Sequence, residues 1–157
     1  FSPKQGLRMK QTRSTVDELT IGSFQEVLDD PGDIDADAVT RIVFCSGKVA
    51  WDAIDERDRL GAPVAVVRVE QLYPLPTEQM LAILQKYPNA RELRWLQEEP
   101  ENMGAWRFIE ANTWRIKEQG YDLRHVARVE SGSPATGSKA IHDQELTDLM
   151  ERTFRNL

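Results

Sequence analysis

Two short runs constrain this chain more than anything else in it: Arg41-Ile42-Val43-Phe44-Cys45 and Val64-Ala65-Val66-Val67-Arg68-Val69. Neither alternates apolar with polar residues. A strand apolar at successive positions needs cover on both faces, which is the situation of parallel strands in α/β proteins. The spacer between the two runs is helical in pattern. Val49, Ala50, Ala53, Ile54 and Leu60 fall on one face, after a Ser46-Gly47-Lys48 turn and before a Gly61-Ala62-Pro63 stop. Strand, crossover helix, strand is the unit from which open parallel sheets are built.

The alternation continues. Leu72-Tyr73-Pro74-Leu75-Pro76 reads as a rigid loop, Thr77 as a helix cap, and Met80, Leu81, Ile83, Leu84 and Tyr87 as that helix's apolar face. A turn at Pro88-Asn89 leads into a strand over Arg91–Leu96. Proline cannot donate to a ladder and disfavours helix at the residue before it, so the strand is expected to stop at Pro100. Phe108, Ile109, Thr113, Trp114 and Ile116 then predict a helix. Leu123–Val129 reads as a strand, residues 131–138 as a loop, and Ile141, Leu146, Leu149, Met150 and Phe154 as the face of a last helix. The fold class that follows is α/β: an open, mostly parallel sheet with helices on both faces and right-handed crossovers.

Residues 1–39 are less regular. Lys4, Arg8, Lys10 and Arg13 form a basic arm, Phe24–Leu28 favours a short strand over a brief helix, and Asp29-Asp30-Pro31-Gly32-Asp33 is a turn. Asp33, Asp35 and Asp37 alternate as in a calcium loop but lack its glycine and closing glutamate, so a solvated acidic linker is expected. Residues 40–157 then form the α/β domain proper. Phe1 stands where an initiator methionine would, and the expectation is a piece of a longer polypeptide.

A net charge of −6 argues against general affinity for nucleic acid or an anionic membrane surface. One cysteine, Cys45, allows no internal disulfide, and with only His125 and His142 beside it no metal centre is expected. No apolar run is long enough for a membrane-spanning helix.

The acidic stretch Gln97-Glu98-Glu99-Pro100-Glu101-Asn102-Met103-Gly104-Ala105-Trp106 lies between a strand and a helix. Its carboxylates are costly to bury but tolerable at the carboxyl edge of an open sheet, where α/β proteins bind ligands. Gly104 suits a close-approach position. Ser46-Gly47-Lys48 is placed either as a tight turn with a snorkelling lysine or as an anion cradle at a helix start, though the P-loop and dinucleotide fingerprints are both absent. Arg124 and Arg128 share a strand face opposite His125 and could clamp a phosphate or pair with the glutamates of the corner. Glu98, Glu99 and Glu101 have no nucleophile, paired histidine or metal ligand beside them, so no catalytic residue is assigned. Trp51, Trp95, Trp106 and Trp114 are expected as core or interface anchors, Cys45 as an inert buried thiol, and His142 at a cap or on the surface.

Four stretches together resemble one family. Cys45-Ser46-Gly47-Lys48-Val49, Val67-Arg68-Val69-Glu70-Gln71-Leu72-Tyr73-Pro74-Leu75-Pro76, Gln97 through Trp106, and Ser133-Pro134-Ala135-Thr136-Gly137 with His142 are similar, in this order, to the C-terminal domain of the decarboxylating component of 2-oxoglutarate dehydrogenase. Phe1-Ser2-Pro3-Lys4 with Leu7-Arg8 resembles the segment that leaves the preceding pyrimidine-binding domain. Met103 stands where the family usually has glutamine, and Ala127-Arg128-Val129-Glu130 where it often has arginine-proline or paired arginines.

The resemblance implies a transketolase C-terminal-like sheet with one antiparallel edge strand, for which Phe24–Leu28 is the candidate. It implies a parent enzyme that uses thiamine diphosphate and magnesium, bound outside this chain. That parent decarboxylates 2-oxoglutarate in the tricarboxylic acid cycle and hands the succinyl group to a lipoyl acyltransferase. The parent would be a homodimer, cytoplasmic in a bacterium or in the mitochondrial matrix of a eukaryote. Gln97, Glu98, Glu99, Asn102, Gly104 and Trp106 become a structural or interface corner. Ser46, Gly47, Lys48, Arg124 and Arg128 become candidates for an AMP or acetyl-CoA effector. The alternatives are a free-standing nucleotide or acyl-CoA binding module, and the matching domain of a transketolase or pyruvate dehydrogenase, against which the Gln97-Glu98-Glu99-Pro100 corner argues.

Overall fold

The computed structural model describes Lys4 and residues 6–155. The likeness of Phe1-Ser2-Pro3 to a domain-leaving segment lies outside the described residues. The strands are β1 (Val27–Leu28), β2 (Arg41–Cys45), β3 (Val64–Val69), β4 (Glu92–Pro100) and β5 (Asp122–Arg128). The helices are α1 (Val16–Thr20), α2 (Val49–Leu60), α3 (Thr77–Lys86), α4 (Trp106–Asn112), α5 (Trp114–Glu118) and α6 (Lys139–Phe154). The sheet order is β1-β3-β2-β4-β5. β3, β2, β4 and β5 run parallel, and β1 pairs antiparallel to β3 with Val27 opposite Val69.

The two apolar runs fold as β2 and β3 with the expected bounds. Every residue of β2 is buried, as is all of β3 except the half-buried Arg68. Alternate residues feed two cores. Ile42, Phe44, Val67, Leu93 and Trp95 pack with Met80, Leu84, Ile109 and Ile116 of α3, α4 and α5. Val43, Val66, Leu96 and Val126 pack with Ala50 and Ala53 of α2 and with Leu149, Met150 and Phe154 of α6. The α/β class, the parallel order and the antiparallel edge strand are as the sequence implied. That edge strand is only two residues long, and Phe24 lies outside it, exposed.

Local departures have local causes. β4 extends past Leu96 and ends at Pro100, where the proline is expected to stop it. The ladder shifts register between Leu96 and Pro100, and the next N–H, that of Glu101, donates to the Arg128 carbonyl at 2.8 Å. A proline is tolerated at such an irregularity. The helix expected around residues 108–116 is two helices broken at Thr113. The Thr113 hydroxyl donates to the Ile109 carbonyl at 2.8 Å, a back-bond of the kind that bends helices. Thr77 is the first residue of α3 rather than its cap, which is Pro76, and no side chain caps that end. Trp95 and Trp106 are core residues and Trp51 is partly buried, whereas Trp114 is 56% exposed.

Two buried charges stitch the periphery to the sheet. Asp30 has a fully buried carboxylate that accepts from the Arg57 guanidinium of α2, from the Val66 N–H of β3 at 2.7 Å and from the Gly32 N–H at 2.8 Å. It serves β3 where the short β1 has ended. Arg41, 1% exposed, donates to the Thr153 carbonyl at 2.7 Å and the Arg155 carbonyl at 3.0 Å, and pairs with Glu92. It thereby satisfies the carbonyl end of α6, where a cation is favoured.

Replacing Asp30 by Ala leaves the buried Arg57 with only the exposed Asp58 as counter-charge and the Val66 N–H without an acceptor. The expected loss is about 3–5 kcal/mol, read as a lower urea midpoint; an unchanged midpoint would contradict this account. Burial pushes the Cys45 thiol up to about 12. Its folded pKa lies above the unfolded value, so its contribution is complete below pH 9 and is lost as pH rises from 9 towards 12. Stability in that window should fall less steeply for Cys45→Ala than for the native sequence, and the native thiol should resist alkylation at pH 8 until the chain unfolds.

Candidate functional site at the carboxyl edge of the sheet

The corner after β4 is built around one side chain. Gln97 is 3% exposed, and its amide makes five hydrogen bonds. Its Oε1 accepts from the Trp95 indole at 3.2 Å and the Trp106 N–H at 2.8 Å. Its Nε2 donates to the carbonyls of Glu99 at 3.4 Å, Pro100 at 3.1 Å and Met103 at 2.8 Å. These bonds gather an otherwise irregular loop and aim the start of α4. Gly104 closes the loop with φ +67, and a Cβ there would meet the Gln97 amide at 3.0–3.1 Å. The close approach expected of this glycine is therefore real and has a named neighbour. Asn102 pairs with the Ser131 backbone in both directions, at 3.0 and 3.1 Å, and so carries the β4–β5 ladder one step further. Trp106 is buried, with the His125 ring stacked on it at 4.5 Å between centroids. Glu101 lies 3.4 Å from His125 Nε2 and 3.2 Å from the Arg107 guanidinium.

Glu98 points to the other face, towards α2 and α6. Lys48 Nζ lies 2.7 Å from Asp52 and 3.5 Å from Glu98. Arg128 Nη2 lies 3.7 Å from Glu98 and 3.0 Å from His142 Nδ1, and its Nε lies 3.3 Å from Glu145. A guanidinium only donates, so His142 Nδ1 accepts. Burial works against the Lys48 ammonium, but the hydrogen bond to Asp52 and the charges of Glu98 and Asp52 outweigh it and hold its pKa above the usual lysine range. Lys48 and Arg128, two of the three cations singled out in the sequence, are thus already engaged, and share Glu98.

The structure does not bring Arg124 to this place. It pairs with Asp122 at 2.7 Å, exposed at the far end of β5, four residues or roughly 13 Å of strand from Arg128. A two-arginine clamp is therefore not formed. Of the two readings of these arginines, ion pairing with the corner holds for Arg128, through Glu98. The sequence reading missed His142 and Glu145 as partners of Arg128, because they arrive from α6.

A cavity of about 590 Å³ opens at the carboxyl ends of β2, β3 and β4. Ser46, Gly47, Lys48, Glu98 and Glu99 form its polar side; Leu72, Tyr73, Trp95, Ala105 and Phe108 form its apolar side, with Gln97 and Gly104 between. Tyr73 is 82% exposed and meets Phe108 edge-on at 6.3 Å. The cavity occupies the position where open α/β sheets bind ligands. Its apolar wall was legible only as a rigid Leu-Tyr-Pro-Leu-Pro loop. Among the described residues, no three His, Cys, Asp or Glu side chains converge as a metal would need.

A parallel sheet with one antiparallel edge strand, helices on both faces and an acidic corner at its carboxyl edge defines a transketolase C-terminal-like domain. Residues 13–154 match the family described as 2-oxoglutarate dehydrogenase C-terminal, and the chain belongs to that family. It is 40% identical over 158 residues to the 2-oxoglutarate dehydrogenase E1 component of Cupriavidus necator, a match that covers all of this chain and 17% of that protein. It is 36% identical to the E1 component of Azotobacter vinelandii, over 98% of this chain and 17% of the relative. It is 41% identical to that of Bacillus pumilus, over 92% of this chain and 16% of the relative. The chain thus spans about one-sixth of the length of these relatives.

Gly104→Ala forces a left-handed φ on a residue with a Cβ and drives that Cβ into the Gln97 amide. The expected cost is about 1–3 kcal/mol, together with a shift of Trp106 fluorescence as its N–H loses the Gln97 acceptor. An alanine variant with native stability and native spectrum would show that the corner does not depend on this contact.

Proposed function

We propose that this chain is the C-terminal domain of a 2-oxoglutarate dehydrogenase E1 component. The parent polypeptide decarboxylates 2-oxoglutarate and transfers the succinyl group to the lipoyl group of its acyltransferase partner. The single observation that carries this reading is the similarity of the whole chain, 40% identical over 158 residues, to the E1 component of C. necator. Thiamine diphosphate, with magnesium, supplies the carbanion chemistry when bound by the parent, and no step of that chemistry is assigned to residues here. In this reading residues 1–39 are the arm, edge strand and acidic linker arriving from the preceding domain, and residues 40–157 are the bracing domain of a homodimer. The setting is the bacterial cytoplasm, or the mitochondrial matrix in a eukaryote. Gln97, Glu98, Glu99, Asn102, Gly104 and Trp106 serve as the structural corner, supported by the bonds that converge on Gln97.

A second role, binding of AMP or acetyl-CoA, is favoured by the cavity beside Ser46, Gly47 and Lys48. Lys48 and Arg128 both face Glu98, so a phosphate arriving there would have to displace that carboxylate. Arg124 takes no part in this reading. The similarity to E1 components gives the domain reading more support than that of a free-standing effector module.

The full encoded polypeptide, supplied with thiamine diphosphate and magnesium, should release carbon dioxide from 2-oxoglutarate, whereas residues 1–157 alone should not. Turnover by the isolated chain would refute the bracing role. A full polypeptide active on pyruvate but inert towards 2-oxoglutarate would point instead to a pyruvate dehydrogenase.

A further inference from the structure

The segment ahead of β1 carries apolar side chains that its own domain does not cover. Leu7, Val16, Leu19, Ile21 and Phe24 are each at least 70% exposed. Single exposed apolar residues are normal; five within eighteen residues mark a surface that is covered by something. No residue of the 3-10 turn Lys10–Thr12 or of α1 is buried. Yet α1 has a specified shape. Thr15 and Glu18 close a capping box, with Glu18 N–H donating to Thr15 Oγ1 at 3.2 Å and Thr15 N–H to Glu18 Oε2 at 2.6 Å. A five-residue helix is far below the roughly 12 residues at which isolated helices become even marginal in water, so such a turn needs a surface to pack on. Among the described residues, hydrogen bonding to this domain begins at Glu26, whose carbonyl accepts from the Glu70 and Gln71 N–H groups at 2.9 and 3.1 Å.

We propose that residues 7–24 are a docking strap whose apolar side chains seat in a groove on the preceding part of the same polypeptide. This rests on the reading of the chain as the C-terminal part of a longer E1 component. The occupant follows from length and charge. The chain accounts for 17% of the C. necator relative, and its family is the C-terminal one, so the greater part of such a protein precedes it. Lys4, Arg8, Lys10 and Arg13 are followed by no acidic residue until Asp17, while the chain as a whole is at −6. The strap's own domain is thus acidic and leaves its apolar residues bare. Its counterpart is an apolar groove, for Val16 through Phe24, bordered by acidic side chains opposite Lys4 through Arg13.

Hydrogen exchange on the full encoded polypeptide tests this. Amides of residues 7–24 should exchange at least about tenfold more slowly than those of the exposed loop 131–138 in the same molecule. Leu19→Asp together with Ile21→Asp should bring the strap to the rate of that loop and speed exchange at a site in the preceding part, while Ile42–Cys45 and Val64–Val69 stay protected. A native strap that exchanges as fast as the loop overturns the proposal and leaves the parent reading standing. Protection that vanishes on dilution to monomer assigns the strap to a second copy and also overturns it. An encoded polypeptide whose intact mass is that of this chain overturns the parent reading, and the strap's partner with it.

Discussion

A buried primary amide has to find partners for all its polar atoms or cost the fold several kilocalories per mole. Gln97 meets that demand by collecting two donors and three acceptors from five other residues. Everything at the carboxyl edge inherits its position from this amide. It fixes where β4 ends, how the chain passes Pro100 and Met103, and where α4 begins. Gly104 is the steric counterpart: the amide can sit there because no Cβ does. Asn102 does on the outside what Gln97 does within, lending a side-chain amide to a backbone that has run out of strand partners.

On the opposite face the organising element is a charge. Glu98 is shared by Lys48 and Arg128, while Asp52, Glu145 and His142 complete the shells of the two cations. A carboxylate shared by two cations is easily read from sequence as two cations free to bind an anion. The difference is energetic. A free lysine and arginine at a cavity mouth attract phosphate, whereas two that are already neutralised require an exchange of counter-ions. The apolar wall of Leu72, Tyr73 and Phe108 faces this internally balanced side.

The fold was legible where a single physical demand fixed the pattern. β2 and β3 have to be apolar at consecutive positions because both faces are covered, and their bounds follow from the sequence. Gly61, at φ +59, ends α2 as a left-handed cap, which its place after an amphipathic run already suggested. Legibility failed where two demands competed. Pro100 does end β4, but the acidic residues after Leu96 argue for a loop, and a register shift instead carries the strand on to the proline. Thr113 suits the apolar face of one long helix, but its hydroxyl prefers the Ile109 carbonyl. The role of Gln97 was not legible beyond membership of the corner, because its partners are backbone groups and backbone groups leave no mark in a sequence. Arg128 could be matched to Glu98 by charge alone. His142 and Glu145 could not, since nothing local says that α6 returns across β5.

The clamp of Arg41 on the carbonyl end of α6 joins the first core strand to the last helix. During synthesis, the sheet face carrying Val43, Leu96 and Val126 therefore stays without Leu149, Met150 and Phe154 until nearly the whole domain has left the ribosome. The nascent chain presents a half-finished apolar surface for that interval, which closes only when the last helix docks.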